Sequence, residues 1–161
     1  MSEPRQEPVV REAGPDDVAA AAALRWTWIV EDRGRAGVLP RETFLEEFAA
    51  WARAHERTHR CFVAEVDGRV VGTAWLALVD RVPSPRALDR RTADVQSVYV
   101  LPPFRGRRVG AALIDAVVAA ASAAGAERIT VHSSASATGS YARAGFEPSE
   151  LLRDRALHPV G

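Results

Sequence analysis

Apolar positions along the chain switch repeatedly between a period near two and a period near 3.6, and the switches mark out the elements. Val9-Val10-Arg11-Glu12-Ala13 reads as an edge strand stopped by Gly14-Pro15. Asp16 and Asp17 then supply the negative charge that a helix start favours, and Val18 to about Val30 has helical composition. Phe44, Leu45, Phe48, Ala49, Trp51 and Ala52 recur at helical spacing and predict a second helix from about Pro40 to Arg57. Cys61 to Val66 and Val70 to Leu76 flank Asp67-Gly68, a strong two-residue turn, and predict a β-hairpin. Asp80 to Arg91 carries Pro83, Pro85 and several arginines and reads as an exposed loop. Asp94 to Leu101 is β-rich and ends at Pro102-Pro103. A long alanine-rich helix from near Val109 to Gly125, a short strand Ile129-Thr130-Val131, a short helix Ala137 to Ala144 and a last strand region opening at Phe146 complete the pattern.

Two helices, an antiparallel hairpin, then strand–helix–strand–helix–strand imply an α/β domain with a mixed sheet and helices on both faces. With 161 residues, 47% hydrophobic and 26% charged, the chain has the composition of one globular domain. A polar, flexible tail is expected over residues 1–8 and one domain over 9–161.

Charge and rare residues narrow the chemistry. The 21 basic side chains balance 21 acidic ones, and every basic residue is arginine. Without lysine there is neither a Schiff-base nucleophile nor a phosphate-loop lysine. One cysteine, Cys61, excludes a disulfide framework, a Cys-x-x-Cys pair, an iron–sulfur cluster and a cysteine-based zinc site, and suits a reducing cytoplasm. The start of the chain lacks the layout of a signal peptide, and no apolar stretch reaches membrane-spanning length, so neither export nor a membrane partner is expected. Mixed charges with zero net sum give no electrostatic reason to expect nucleic acid.

Two stretches carry the candidate chemistry. In the first, Val98-Tyr99-Val100-Leu101-Pro102-Pro103 runs into Phe104-Arg105-Gly106-Arg107-Arg108-Val109-Gly110-Ala111, a strand that turns through glycine and arginine into a helix. Backbone N–H groups and the positive helix end converge there, as a phosphate requires. The second is Ser140-Tyr141-Ala142-Arg143-Ala144-Gly145-Phe146. Together, in this order, the stretches resemble the GNAT superfamily of acyl-CoA-dependent N-acetyltransferases. Arg105 and Gly110 match the first and last positions of its Arg/Gln-x-x-Gly-x-Gly/Ala motif. Tyr141, Gly145 and Phe146 match its Tyr-x-x-x-Gly-Phe motif.

The resemblance covers about Val9 to Phe146 and implies a largely antiparallel sheet splayed between two parallel central strands, those ending at Leu101 and near Val131, with acetyl-CoA in the splay. It implies that the backbone of Val98, Tyr99 and Val100 lies along the pantetheine arm, and that one of these amides polarises the thioester carbonyl. Arg105, Gly106, Arg107, Arg108, Val109, Gly110 and Ala111 would hold the pyrophosphate, with Ser134 and Ala137 bordering the cofactor. Tyr141 would protonate the departing thiolate. The implied reaction is direct attack of a primary amine of a small molecule, amino acid or peptide on the thioester, without a metal. Homodimers are common in the family. Two departures stand out. Arg108 occupies the usual glycine position, where a side chain makes positive φ costly, so its amide is expected in helical geometry. The asparagine often found before the tyrosine is absent, with Ser134 and Ser136 the nearest polar substitutes.

Asp94, eleven residues before Arg105, matches the place where histone-type members carry a glutamate base, and its shorter side chain calls for a water relay. Simple alternation puts Asp94, Gln96, Val98 and Val100 on one face of the strand unless a bulge intervenes. The competing reading pairs Asp94 with Arg90 or Arg91. Two rival functions compete with the enzyme: a catalytically silent CoA-binding sensor or partner-binding module, and a zinc hydrolase built on His55-Glu56-Arg57-Thr58-His59, which matches the His-Glu-x-x-His pattern at the end of the second helix. Trp26, Trp28 and Trp51 read as core or groove wall. The resemblance implies that Glu31 to Leu39 borders the acceptor groove and that the Asp80 to Arg91 loop overhangs it; the arginines of that loop hint at an acidic or carboxylate-bearing acceptor, but a solvated loop is the simpler reading.

Overall fold

A computed structural model describes residues 7–158, so residues 1–6 of the expected tail lie outside the described residues. The chain orders as β1 (Val9–Glu12), α1 (Val18–Trp26), α2 (Arg41–Ala54), β2 (His59–Val66), β3 (Arg69–Asp80), β4 (Arg91–Val100), α3 (Val109–Ala123), β5 (Ile129–Val131) and α4 (Thr138–Arg143). The five strands form one sheet in sequence order. β1 to β4 are antiparallel neighbours, and β5 runs parallel to β4.

Alternation along β2 builds two cores. Phe62, Ala64 and Val66 join Val71, Leu76, Val95 and Val100 under α3, which contributes Val109, Leu113 and Val117. Cys61 and Val63 face the other way and join Trp75 beneath Ala21 of α1 and Ala52 of α2. Helices thus cover both faces, as expected. The β2–β3 hairpin turns through Asp67 and Gly68, both at positive φ (51° and 75°), the conformation that makes Asp-Gly a strong hairpin signal. Gly72 is closely packed: a Cβ there would sit 3.0 Å from the Tyr99 carbonyl oxygen and 3.1 Å from Leu113 Cδ1.

Five expectations are corrected. α2 stops at Ala54, and α1 passes into a π-helical turn over Thr27–Asp32 instead of ending near Val30 as a regular helix. β3 runs on to Asp80, and β4 begins at Arg91. No strand opens at Phe146: among the described residues, 146–158 carry no strand. Glu147, Pro148 and Ser149 offer neither apolar alternation nor, at Pro148, an N–H donor for a ladder.

Candidate active site

β4 and β5 hold together only over Ala93–Ile129, Asp94–Thr130 and Val95–Val131. Beyond Val95, β4 continues five residues to Val100 beside β3 alone, so its other edge is open. Leu101 N–H donates to Val71 O at 2.9 Å on the β3 side, and Arg105 Nε donates to Val100 O at 3.0 Å on the opposite side. Peptide groups of alternate residues in a strand point the same way, so those of Val98 and Val100 face the open edge. Tyr99 turns its peptide groups toward β3, opposite Thr73.

A bulge redirects the side chains of this strand. Trp75 pairs with Ser97, but the next residue, Leu76, pairs with Val95, leaving Gln96 as the extra residue. Asp94, Ser97 and Tyr99 consequently share the face toward α1 and α2, while Val98 and Val100 join the core under α3. The simple alternation that grouped Asp94 with Val98 and Val100 is therefore broken. Asp94 accepts a hydrogen bond from Thr130 Oγ1 at 3.0 Å. The competing pairing with Arg90 or Arg91 does not form, because Arg90 binds Glu127 at 2.7 Å and Arg91 binds Asp89 at 3.1 Å.

The open edge leads directly to the start of α3. Gly106 has φ +74°, and Arg108, the residue preceding the helix, has φ +63°. Arg108 thus adopts the left-handed conformation of the glycine it replaces, which corrects the expected helical geometry. Such a conformation costs a side-chain-bearing residue about 1–2 kcal/mol. No side chain caps the helix, and the first amide to bond within it is that of Ala112, which donates to Arg108 O at 3.0 Å. Among the described residues nothing accepts from the amides of Gly106, Arg107, Arg108, Val109, Gly110 and Ala111. Alternating left-handed residues and a helix start make a concave set of donors suited to an anion.

The arginines around this set differ. Arg105 folds back over Tyr99, its guanidinium 5.6 Å from the ring centre and 3.7 Å from Asp32 Oδ2. Tyr99 donates to Asp32 at 2.5 Å and stacks on Trp28 with centroids 5.4 Å apart. Burial, then the Asp32 carboxylate, push its phenol well above the usual tyrosine range. Arg107 lies over Phe104 at 5.3 Å, whereas the Arg108 side chain is exposed. The π-helical turn at the end of α1 brings Trp28 and Asp32 to β4, a local widening often found at functional sites.

Tyr141 is buried on α4, its ring edge-on to Phe146 at 5.4 Å. Burial raises its phenol pKa, so the hydroxyl keeps its proton at neutral pH. Ser134 and Ala137 lie in the turn before α4, where the Ala137 amide donates to Ser134 O at 3.0 Å and Ser134 Oγ faces Ser136 Oγ at 3.1 Å. The Cys61 thiol is buried against the helices and pushed up to about 12 by that burial, so it remains an unreactive thiol.

On the α1/α2 side of β4 opens a cavity of about 520 Å³. Asp94 and Ser97 line its floor, Phe48, Trp51 and Trp75 its aromatic wall, and Arg25 and His132 its rim. Arg25, unrecognised from sequence, is a lone charge at the end of an alanine-rich helical run; that position was its only signal. The His-Glu-x-x-His pattern does not form on a helix. His55 caps α2, Glu56 lies in the following turn and His59 opens β2. Each histidine Nδ1 is engaged, His55 with Trp51 O at 2.8 Å and His59 with Thr58 Oγ1 at 2.9 Å, and Trp51 stacks on His55. Among the described residues no group of three or more His, Cys, Asp or Glu is gathered that could hold a metal.

A strand edge left open by its parallel neighbour thus lies next to a helix start with free amides. The Acetyltransferase (GNAT) family model matches residues 21–146, and the chain belongs to that family. An uncharacterized N-acetyltransferase of Methanocaldococcus jannaschii is 29% identical over 100 residues, which cover 57% of this chain and 41% of that protein. The matched region is thus less than half of that relative. A predicted acetyltransferase from Clostridium acetobutylicum, solved with acetyl-CoA, superposes with a TM-score of 0.74 at 18% identity, covering 93% of this chain and 96% of the other. An integron cassette protein from the mobile metagenome of Cole Harbour Salt Marsh gives 0.71 at 28% identity, over 94% and 91%. These structures share the overall fold of this chain.

Proposed function

We propose that the protein transfers the acetyl group of acetyl-CoA to a primary amine by direct attack. The observation that carries this reading is the continuity of the open edge at Val98 and Val100 with the free amides from Gly106 to Ala111. That edge pairs with the pantetheine arm as an added strand, and the amides receive the pyrophosphate. A Val98 or Val100 amide donates to the thioester oxygen as negative charge develops there.

The acceptor enters from the Asp94 side of β4, where the cavity lies. Asp94 removes one proton from the ammonium through a water, leaving a neutral amine. Its nitrogen bonds to the acetyl carbon as the carbon–sulfur bond breaks. Tyr141 protonates the leaving sulfur and is reprotonated by the second proton shed from nitrogen, so acetylated amine, free thiol and one released proton balance the reaction. Tyr141 suits this role because burial keeps its phenol protonated.

Incubation of the protein with acetyl-CoA and a panel of primary amines, with release of free CoA as the readout, tests the reading. Release that depends on an amine and falls with Tyr141→Phe is expected. Tight binding of acetyl-CoA without release for any amine, and no effect of Tyr141→Phe, would instead mark a CoA-binding sensor.

A further inference from the structure

Arg25 is half-buried at the mouth of the 520 Å³ cavity, yet no carboxylate among the described residues lies within ion-pair distance of it. Its recorded partners are Ser97 Oγ, at 3.3 Å, and the face of Trp28, 4.9 Å away. Arg33 covers the same ring at 5.0 Å, so a second positive charge stands close by. A guanidinium has five N–H donors, and withdrawing it from water without an anion is costly. Asp94 lines the same cavity with its carboxylate. Its lining also includes a continuous aromatic wall: Phe48 meets Trp75 edge-on at 5.5 Å and Trp51 at 6.2 Å, and Trp51 meets Trp75 at 5.8 Å. Trp51 remains 38% exposed even with His55 stacked on it.

We propose that the acceptor is an α-amino acid with an aromatic side chain, its carboxylate held by Arg25, its ring against Phe48, Trp51 and Trp75, and its ammonium directed to Asp94. The proposal rests on the acetyl-transfer reading above and assigns the acceptor class of that same site. Asp94 and Ser97, on one face across the Gln96 bulge, are about two strand positions, or about 7 Å, apart along β4. Arg25 hydrogen-bonds Ser97 at 3.3 Å, and the short path from carboxylate oxygen to ammonium nitrogen, extended at the Asp94 end by the relaying water, bridges the two groups. The cavity volume falls within the range of about 300–1,000 Å³ usual for small-molecule sites. An amine lacking the carboxylate leaves Arg25 without an anion, and one lacking the ring leaves the aromatic wall wet.

The test compares phenylalanine with phenethylamine, which lacks only the carboxylate, and with alanine, which lacks only the ring. The readouts are kcat/KM for CoA release and, independently of turnover, quenching of tryptophan fluorescence on acceptor binding. Phenylalanine is expected to exceed each analogue by at least about tenfold, the value of one charge-assisted hydrogen bond or a buried ring. Arg25→Met should collapse the ratio of phenylalanine to phenethylamine toward one, and Arg25→Lys should restore part of it. Acetyl-CoA binding by both variants confirms that they are folded. Equal or better turnover of phenethylamine, alanine or a polyamine, with a ratio unmoved by Arg25→Met, overturns the acceptor assignment and leaves acetyl transfer intact. Phenylalanine binding with normal acetyl-CoA affinity but no CoA release overturns the transfer reading instead.

Discussion

Replacing Arg108 with glycine is expected to make the free protein more stable although it removes a charged side chain. Arg108 sits at φ +63°, and its side chain is exposed and enters no ion pair among the described residues. The left-handed conformation costs a side-chain-bearing residue about 1–2 kcal/mol, and glycine removes that cost. Glycine also raises the entropy of the unfolded chain, which takes back about 0.5–1 kcal/mol. A net gain of about 0.5–1 kcal/mol remains, and at about 2–4 °C per kcal/mol for a domain of this size Tm should rise by about 1–4 °C. Thermal unfolding followed by circular dichroism without acetyl-CoA measures it. Gly106→Ala is the opposite control. At φ +74° an added Cβ meets no atom within 4 Å, so its loss of about 1–2 kcal/mol reflects backbone strain alone. A lower Tm for Arg108→Gly would refute the reasoning and show that the guanidinium stabilises the turn by more than the strain it imposes.

Other consequences are equally direct. Gly72→Ala should cost about 1–3 kcal/mol, seen as a lower urea midpoint with unchanged m, because its methyl group meets the Tyr99 carbonyl and the fully buried Leu113. Tyr141→Phe should lower kcat by about 10²-fold with little change in acetyl-CoA binding. The protonated phenol is the active form and burial raises its pKa, so wild-type kcat should hold to a pH above the ordinary tyrosine range before falling; loss of activity near neutral pH would contradict the assignment. Asp94→Asn should reduce kcat/KM by about 10²-fold or more at neutral pH, with the deficit narrowing as pH rises and the free amine becomes abundant.

Local chemistry made much of the architecture legible before any coordinates. Asp67-Gly68 strongly favours a tight turn, and the Pro102-Pro103 stop followed by Arg105 to Gly110 favours the end of a strand and the start of a helix. What escaped the sequence depends on tertiary context. The Gln96 bulge leaves no mark in composition, yet it decides that Asp94 faces the cavity beneath α1 and α2 while Val98 and Val100 face the α3 core. Arg108 has no intrinsic preference for positive φ; the geometry that joins the Gly106 turn to α3 imposes it. The His55–His59 spacing fits one helical turn in sequence, but α2 ends at Ala54 and His59 opens β2, so the two histidines share no helix. Arg25 and Asp32 acquire meaning from residues far along the chain, Ser97 for one and Tyr99 for the other.

Backbone amide shifts recorded while acetyl-CoA is titrated into the protein test the central claim most directly. Val98, Val100 and the run from Gly106 to Ala111 are expected to shift together and to saturate at one equivalent. Shifts confined to α1 and α2, with those amides unmoved, would contradict it.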